Sequence, residues 1–178
     1  MSGTPQPAPT LRPATPADAR ALAVLAERTF RDTFAAHNSP QNMDAHCRVH
    51  YGEAQQSAEI ASADHVTLVV EARGALLAYA QLRWGTAPAC VSSPQAGEIR
   101  RFYVDAPWLG KGIAHTLMQA CLEALRSRGS ATAWLGVWEH NPRAIAFYRK
   151  RGFTAVGEHC FALGDDRQRD VILELPLC

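Results

Sequence analysis

A chain of 178 residues with 47% hydrophobic and 20% charged residues has the balance of one globular domain around one sizeable core. A net charge of +1 offers no broad basic face for nucleic acid or an anionic membrane, and no apolar run approaches the roughly 18 residues of a spanning helix. Five scattered cysteines (Cys47, Cys90, Cys121, Cys160 and Cys178), odd in number and without a CxxC, point to reduced thiols in the cytoplasm rather than to disulfides or zinc, and no metal site is expected.

The opening MSGTPQPAPTLRPATP is Pro- and Ala-rich and lacks the apolar stretch of a secretory signal. Residues 1–9 are expected to be a flexible tail and 10–178 a single domain. Leu11–Pro13 fits a short strand. Thr15, Pro16 and Asp18 combine a cap, a first-turn proline and an early acid, so a helix starts there with Leu22, Leu25, Thr29 and Phe30 facing inward. Asn38, Ser39 and Pro40 break it, and a polar helical segment follows from about Gln41 to Ile60. Val66–Ala72 and Ala75–Trp84 read as a hairpin turning at Arg73-Gly74. Pro88 and Pro94 make residues 86–97 a loop. A strand at 98–104, a helix at 112–128, a strand at 132–137 and a helix at 142–150 come next. Two closing strands, about 153–162 and 168–175, flank the GDDRQ turn.

Two stretches carry the chemistry. The first, VDAPWLGKGIA (residues 104–114), runs from a strand end through a glycine loop into a helix. The stripe Ile113, Leu117, Cys121, Leu125 defines that helix, and Gly129 ends it. Gly110, Lys111 and Gly112 therefore sit at a helix N-terminus, where unpartnered amides and the helix dipole favour a phosphate or pyrophosphate. A Walker A loop is excluded, because no glycine stands at its first position ahead of the Gly110-Lys111 pair and Gly112 follows Lys111. A dinucleotide GxGxxG fails at His115. The second stretch is WLGVWEHNPRAIAFYRKRGF (residues 134–153). It reads as a buried strand, an Asn141 cap, Pro142 at the first helical position, then Ala144, Ile145 and Tyr148 before Gly152.

The two stretches, in this order and about one helix and one strand apart, resemble the GNAT superfamily of N-acyltransferases. Its acyl-CoA loop reads Gln/Arg-x-x-Gly-x-Gly/Ala, which Gly112 and Ala114 match. Leu109 departs from it, and His115 replaces a small hydroxyl residue common in the family. The runs TFRDTFAAHNSP and FYRKRGFTAVGEHCFALGDDRQRDVILELPL are similar to the PaiA-type bacterial polyamine acetyltransferases. The resemblance implies an α+β fold, a mixed, mostly antiparallel sheet of about seven strands flanked by helices. The two strands bearing the motifs splay apart in that fold, with the pantetheine arm between them.

The implied activity is transfer of an acetyl group from acetyl-CoA to a primary amine of a small molecule, a polyamine in the PaiA-like case. A protein or peptide amine, and a non-catalytic acetyl-CoA-binding regulator, are the alternatives. Tyr148 matches the family's acid and Glu98 its strand glutamate base, with Glu139, His140 and His37 in reserve. Cofactor contacts are expected from Phe102, Tyr103, Val104, Leu109, Gly110, Lys111, Gly112, Ile113, Ala114, His115, Asn141, Ala144, Phe147 and Tyr148. Asp32, Asp44, Glu53, Glu98 and Glu139 are the acids available to a polycation, and residues 30–60 are expected to wall its groove. Dimers are frequent in the superfamily, which leaves a homodimer open.

Overall fold

The computed structural model describes residues 8–177, so the first seven residues of the expected tail lie outside them. Thr10–Pro13 is β1. Arg12 on it binds Asp18 and Glu71 at 2.7–2.9 Å, which ties the first strand to the next turn and to its sheet neighbour. A 3-10 turn at Pro16–Asp18 leads into α1 (Ala19–Phe34), which buries Leu22, Leu25, Thr29 and Phe30 on one face.

The segment expected as one helix from 41 to 60 is two: α2 (Pro40–His50) and α3 (Glu53–Ala61). Ser39 caps α2 by accepting from the Asn42 amide. The break falls at Tyr51, whose buried ring packs 5.1 Å from that of Phe30 and under the Arg101 guanidinium. A continuous helix would not carry that ring into the core. Gly52 then starts α3.

β2 (His65–Ala72) and β3 (Ala75–Trp84) form the expected hairpin, with Arg73 and Gly74 both at positive φ. β4 (Ala96–Val104), α4 (Ile113–Ser127), β5 (Thr132–Trp138), α5 (Pro142–Arg149), β6 (Thr154–Leu163) and β7 (Asp166–Pro176) complete the chain. The sheet has seven strands in the order β1-β2-β3-β4-β5-β7-β6. Every pairing is antiparallel except β4 with β5.

Both faces are covered. Alternate residues of β2 and β3 point opposite ways, so Leu68, Val70, Ala78, Ala80 and Leu82 pack with α4 and α5, while Val69 and Tyr79 pack with α1 and α2. Leu117, Cys121 and Leu125 of α4 are fully buried, as their four-residue spacing requires. Each such leucine contributes about 1.5–3 kcal/mol by leaving water.

A buried polar cluster locks α3 to the sheet. Glu59 accepts from Arg101 at 2.6 Å, Gln81 at 2.8 Å, Arg100 at 2.9 Å and Gln55 at 2.9 Å. Glu59 and Arg101 are only 4% and 6% exposed. Burial works against the carboxylate's charge, but Arg101, Gln55 and Gln81 outweigh it and hold the group below its ordinary range. Arg100 is also the extra residue of a bulge, because Gln81 pairs with Arg101 and Leu82 with Ile99.

Candidate active site

The site begins where two strands part. β4 and β5 pair only through Ala96–Thr132, Gly97–Ala133 and Glu98–Trp134. Beyond Glu98, β4 stays with β3 and β5 stays with β7. A wedge opens between them, and the β4 edge from Ile99 to Val104 faces it without a sheet partner. Unpaired strand amides and carbonyls of this kind recruit an extended guest.

At the wide end lies the glycine loop. After Val104 the chain makes a 3-10 turn at Ala106–Trp108, and α4 starts at Ile113. Gly110 and Gly112 have φ of 75° and 83°, a conformation other residues resist. Gly112 is the helix cap and supplies no side chain to it. Among the described residues, none of the amides of Gly110 to Ala114 finds an acceptor within the chain. Five backbone donors thus stand without a partner beside a helix N-terminus, which suits a pyrophosphate. Gly112→Val should weaken acetyl-CoA binding about tenfold, because a β-branched residue at this φ costs roughly 1–2 kcal/mol. Calorimetric titration reads this directly, and a dissociation constant within twofold of the parent removes the loop from the cofactor site.

A cavity of about 920 Å³ runs from this loop to α5. It is lined by Phe102, Tyr103, Val104, Leu109, Gly110, Gly112, Ala114, His115, Asn141, Ala144, Phe147 and Tyr148, twelve of the residues expected to meet the cofactor. Two depart in their side chains. Ile113 is buried in the core, so only its amide serves the loop. The Lys111 ammonium lies 4.8 Å above the Trp108 ring, folded onto the loop's own indole. The sequence reading missed Arg143, Lys150 and Arg151, which bring positive charge to the cavity. Arg151 stacks 3.9 Å over Phe147 and reaches His115 Nδ1 at 3.1 Å, so it bridges the two motifs. Its signal lay in the basic run YRKRG, read only as part of the family pattern.

A second cavity, of about 430 Å³, is lined by both parting strands, at Glu98, Ile99, Trp134 and Gly136. Phe30, Phe34, His46, His50 and Tyr51 form the wall expected from residues 30–60. Burial, with His50 and Arg101 adding, holds His46 down at about 4, so it is neutral at ordinary pH. The two cavities meet at Thr33, Phe102, Tyr103, Trp138, Asn141, Ala144 and Tyr148. Tyr148 is 8% exposed at this junction, and burial beside Cys121 raises its hydroxyl above the ordinary tyrosine range. Asn141 Oδ1 accepts from the Ala144 amide at 3.1 Å, which makes it the helix cap.

Glu98 lines the second cavity at the point where the strands separate. Its Oε2 is held by Arg83, at 2.8 Å from Nε and 2.6 Å from Nη2. The other acids divide. Asp32 lines the larger cavity, Asp44 is paired with Arg31, and Glu53 lines neither. Glu139 is bound by Arg169 at 2.6 Å in an outer groove, whose His37 and His140 also line the larger cavity.

The profile of the GNAT acetyltransferase family matches residues 27–153, which include the fork, the glycine loop and Tyr148. The chain belongs to the GNAT family. An uncharacterized N-acetyltransferase in the pepI 3′ region of Lactobacillus delbrueckii subsp. lactis is 34% identical over 153 residues, 86% of this chain and 88% of that protein. The [ribosomal protein bS18]-alanine N-acetyltransferase of Escherichia coli K12 is 32% identical over 76 residues, 42% of this chain and 51% of that enzyme. Among solved structures, the PaiA N-acetyltransferase of Thermoplasma acidophilum, in complex with coenzyme A, superposes with a TM-score of 0.78. It shares 21% identity, with 95% of this chain and 99% of that one covered. This GNAT chain is therefore an N-acetyltransferase with acetyl-CoA as co-substrate. No helix among the described residues is long and apolar enough to cross a membrane.

Proposed function

We propose that the enzyme acetylates a primary amine of a small molecule, a polyamine in the sharpest form of the reading, by direct transfer within a ternary complex. One observation carries it: the cavity at the glycine loop and a second, smaller cavity meet at the fork and share Tyr148. The pantetheine arm would reach through the fork along β4, and the amine would approach from the smaller cavity. Holding thioester and amine together supplies much of the rate. A backbone amide near Val104 is the proposed donor to the thioester oxygen as it gains charge. The raised Tyr148 hydroxyl keeps its proton until the CoA sulfur leaves, as an acid at that position must. Glu98, at the mouth of the fork, is a candidate base whose Arg83 partner keeps it oriented.

A protein amine is the second reading. It is supported by the 76-residue likeness to the bS18-alanine enzyme and by the outer groove of about 560 Å³, which shares Trp138 and His159 with the smaller cavity.

The deciding experiment is chromatographic detection of CoA release from acetyl-CoA over an amine panel. Chromatography avoids thiol reagents, which the chain's own cysteines would consume. The panel holds spermidine, spermine, putrescine, amino acids, aminoglycosides and peptides with free N-termini. Turnover concentrated on polyamines is the expected result. Turnover on peptides alone replaces the small-molecule reading with the second one, and silence across the panel sinks both.

A further inference from the structure

Three strands bring one row of side chains together on the substrate side of the fork. Asp170 of β7 is the direct cross-strand partner of Trp138 on β5 and of His159 on β6. Directly opposed residues project to the same face. All three line the smaller cavity. Asp170 Oδ2 lies 3.8 Å from His159 Nε2. Asp170 Oδ1 is buried and finds no hydrogen-bond donor among the described residues.

The space before this pair is kept by a glycine. Gly136 is exposed on the cavity floor. A methyl group there would stand 3.1 Å from His159 Cε1 and 3.2 Å from Asp170 Oδ2. A carboxylate oxygen withdrawn from water without a donor is unfavourable until one arrives. The Asp170 side chain keeps 14% of its surface open, and a substrate ammonium arriving there brings the compensating charge.

We propose that Asp170 receives the ammonium of the substrate and takes its proton, with His159 passing that proton to solvent. The assignment rests on the acetyltransferase reading above and gives that site its proton acceptor in place of Glu98, whose Oε2 is already held by Arg83. One ammonium N–H bond breaks and the proton moves to an Asp170 oxygen, leaving a neutral amine. The amine lone pair then forms the C–N bond as the thioester C–S bond breaks. The CoA sulfur takes the Tyr148 proton, and the second N–H proton leaving the intermediate restores it. A small rotation of the His159 ring closes the 3.8 Å to Asp170 Oδ2, its Nε2 takes the proton, and its side chain, 40% exposed, releases it to water.

Burial pushes the Asp170 carboxyl up to about 6, with His159 pulling the other way. The same burial disfavours the ammonium, which brings the two partners of the transfer closer to balance. Other charged groups reach the cavity from each wall. Arg83 is paired with Glu98, and Arg100 and Arg101 are paired with Glu59. His46 and His50 of α2 are held below their ordinary range by burial, and α5 contributes only Tyr148's neutral hydroxyl. His159 is the group whose charge bears on Asp170.

Asp170→Asn keeps the shape and removes the acceptor. The wild-type profile of amine kcat/KM should show an acid limb with its midpoint near pH 6, below which Asp170 is protonated and idle. In D170N that limb should vanish, and kcat/KM at pH 7 should fall by about 100-fold, then climb with pH as free amine accumulates. Calorimetry on enzyme saturated with CoA should show spermidine, or the panel amine that ranks above it, binding at least about tenfold more weakly. Acetyl-CoA affinity should stay unchanged. An amine kcat/KM in D170N like that of the parent, or a retained acid limb, overturns the assignment and leaves the enzyme reading standing. Wild-type silence on every panel amine sinks that reading, and the assignment falls with it. Gly136→Ala is the second variant, because it crowds the pair without removing its charge. It should lower amine kcat/KM while sparing acetyl-CoA binding, and unchanged kcat/KM counts against the assignment.

Discussion

Tyr148→Phe should bind acetyl-CoA as tightly as the parent and turn over about 100-fold more slowly. The ring is held on three sides by Phe102, Phe147 and Phe153, with centroids 6.2, 5.4 and 5.8 Å away, so phenylalanine keeps the packing. Only the hydroxyl is lost, and it sits at the junction of the two cavities. A departing thiolate without a nearby acid must take its proton from water that the buried junction excludes. The loss therefore belongs in kcat, with the cofactor dissociation constant untouched. Steady-state kinetics paired with calorimetry separates the two. An unchanged kcat takes Tyr148 out of the acid role, and a weakened cofactor makes it a binding residue instead.

Glu59→Ala should destabilise the fold by about 3–5 kcal/mol, a large part of the roughly 5–15 kcal/mol by which a domain of this size is stable. The substitution removes one carboxylate and strands four donors. Arg101, 6% exposed, would keep only Gln81 at 3.0 Å and the His50 carbonyl at 3.4 Å. A buried guanidinium without its counter-charge is among the few changes that reach this magnitude. Urea denaturation followed by circular dichroism measures it as a lowered midpoint. Glu59→Gln, which can still accept from Arg101, should lose less. A loss under about 1 kcal/mol for alanine would mean that water reaches the guanidinium. The site depends on this cluster as well, because Arg100 and Arg101 form the bulge that precedes Phe102 in the fork.

Local patterns in the sequence carry most of the architecture. The repeat from Ile113 to Leu125 places α4, and Gly129 and Gly152 stop their helices at φ of 77° and 91°. Arg73-Gly74 marks its hairpin, and the loop residues expected to meet the cofactor are consecutive in the chain. What escaped was set by distant partners. The break at Tyr51 exists because Phe30 and Arg101 hold its ring, and neither is near in sequence. Glu98 looks like a free strand-end carboxylate until β3 brings Arg83 beside it. Lys111 reads as a loop charge for a phosphate, and the fold sets its ammonium 4.8 Å above the Trp108 ring. Asp170 and His159 are eleven positions apart in an unremarkable charged stretch, and only the β6–β7 register sets them together across from Trp138.

The three-residue seam between β4 and β5 also bears on how the protein lives without its co-substrate. The sheet is two antiparallel blocks, β1–β4 and β5–β7–β6, fastened by a short parallel stitch and by the helices laid across it. A guest strung along the open edge of β4, as proposed above for the pantetheine arm, would do the fastening that the missing half of the ladder does not. Folding and cofactor supply are then thermodynamically linked: a ligand at a hundred times its dissociation constant adds about 2.7 kcal/mol to the folded state. A cell rich in acetyl-CoA would hold this enzyme closed and durable, and a starved one would leave its two blocks free to breathe about the stitch.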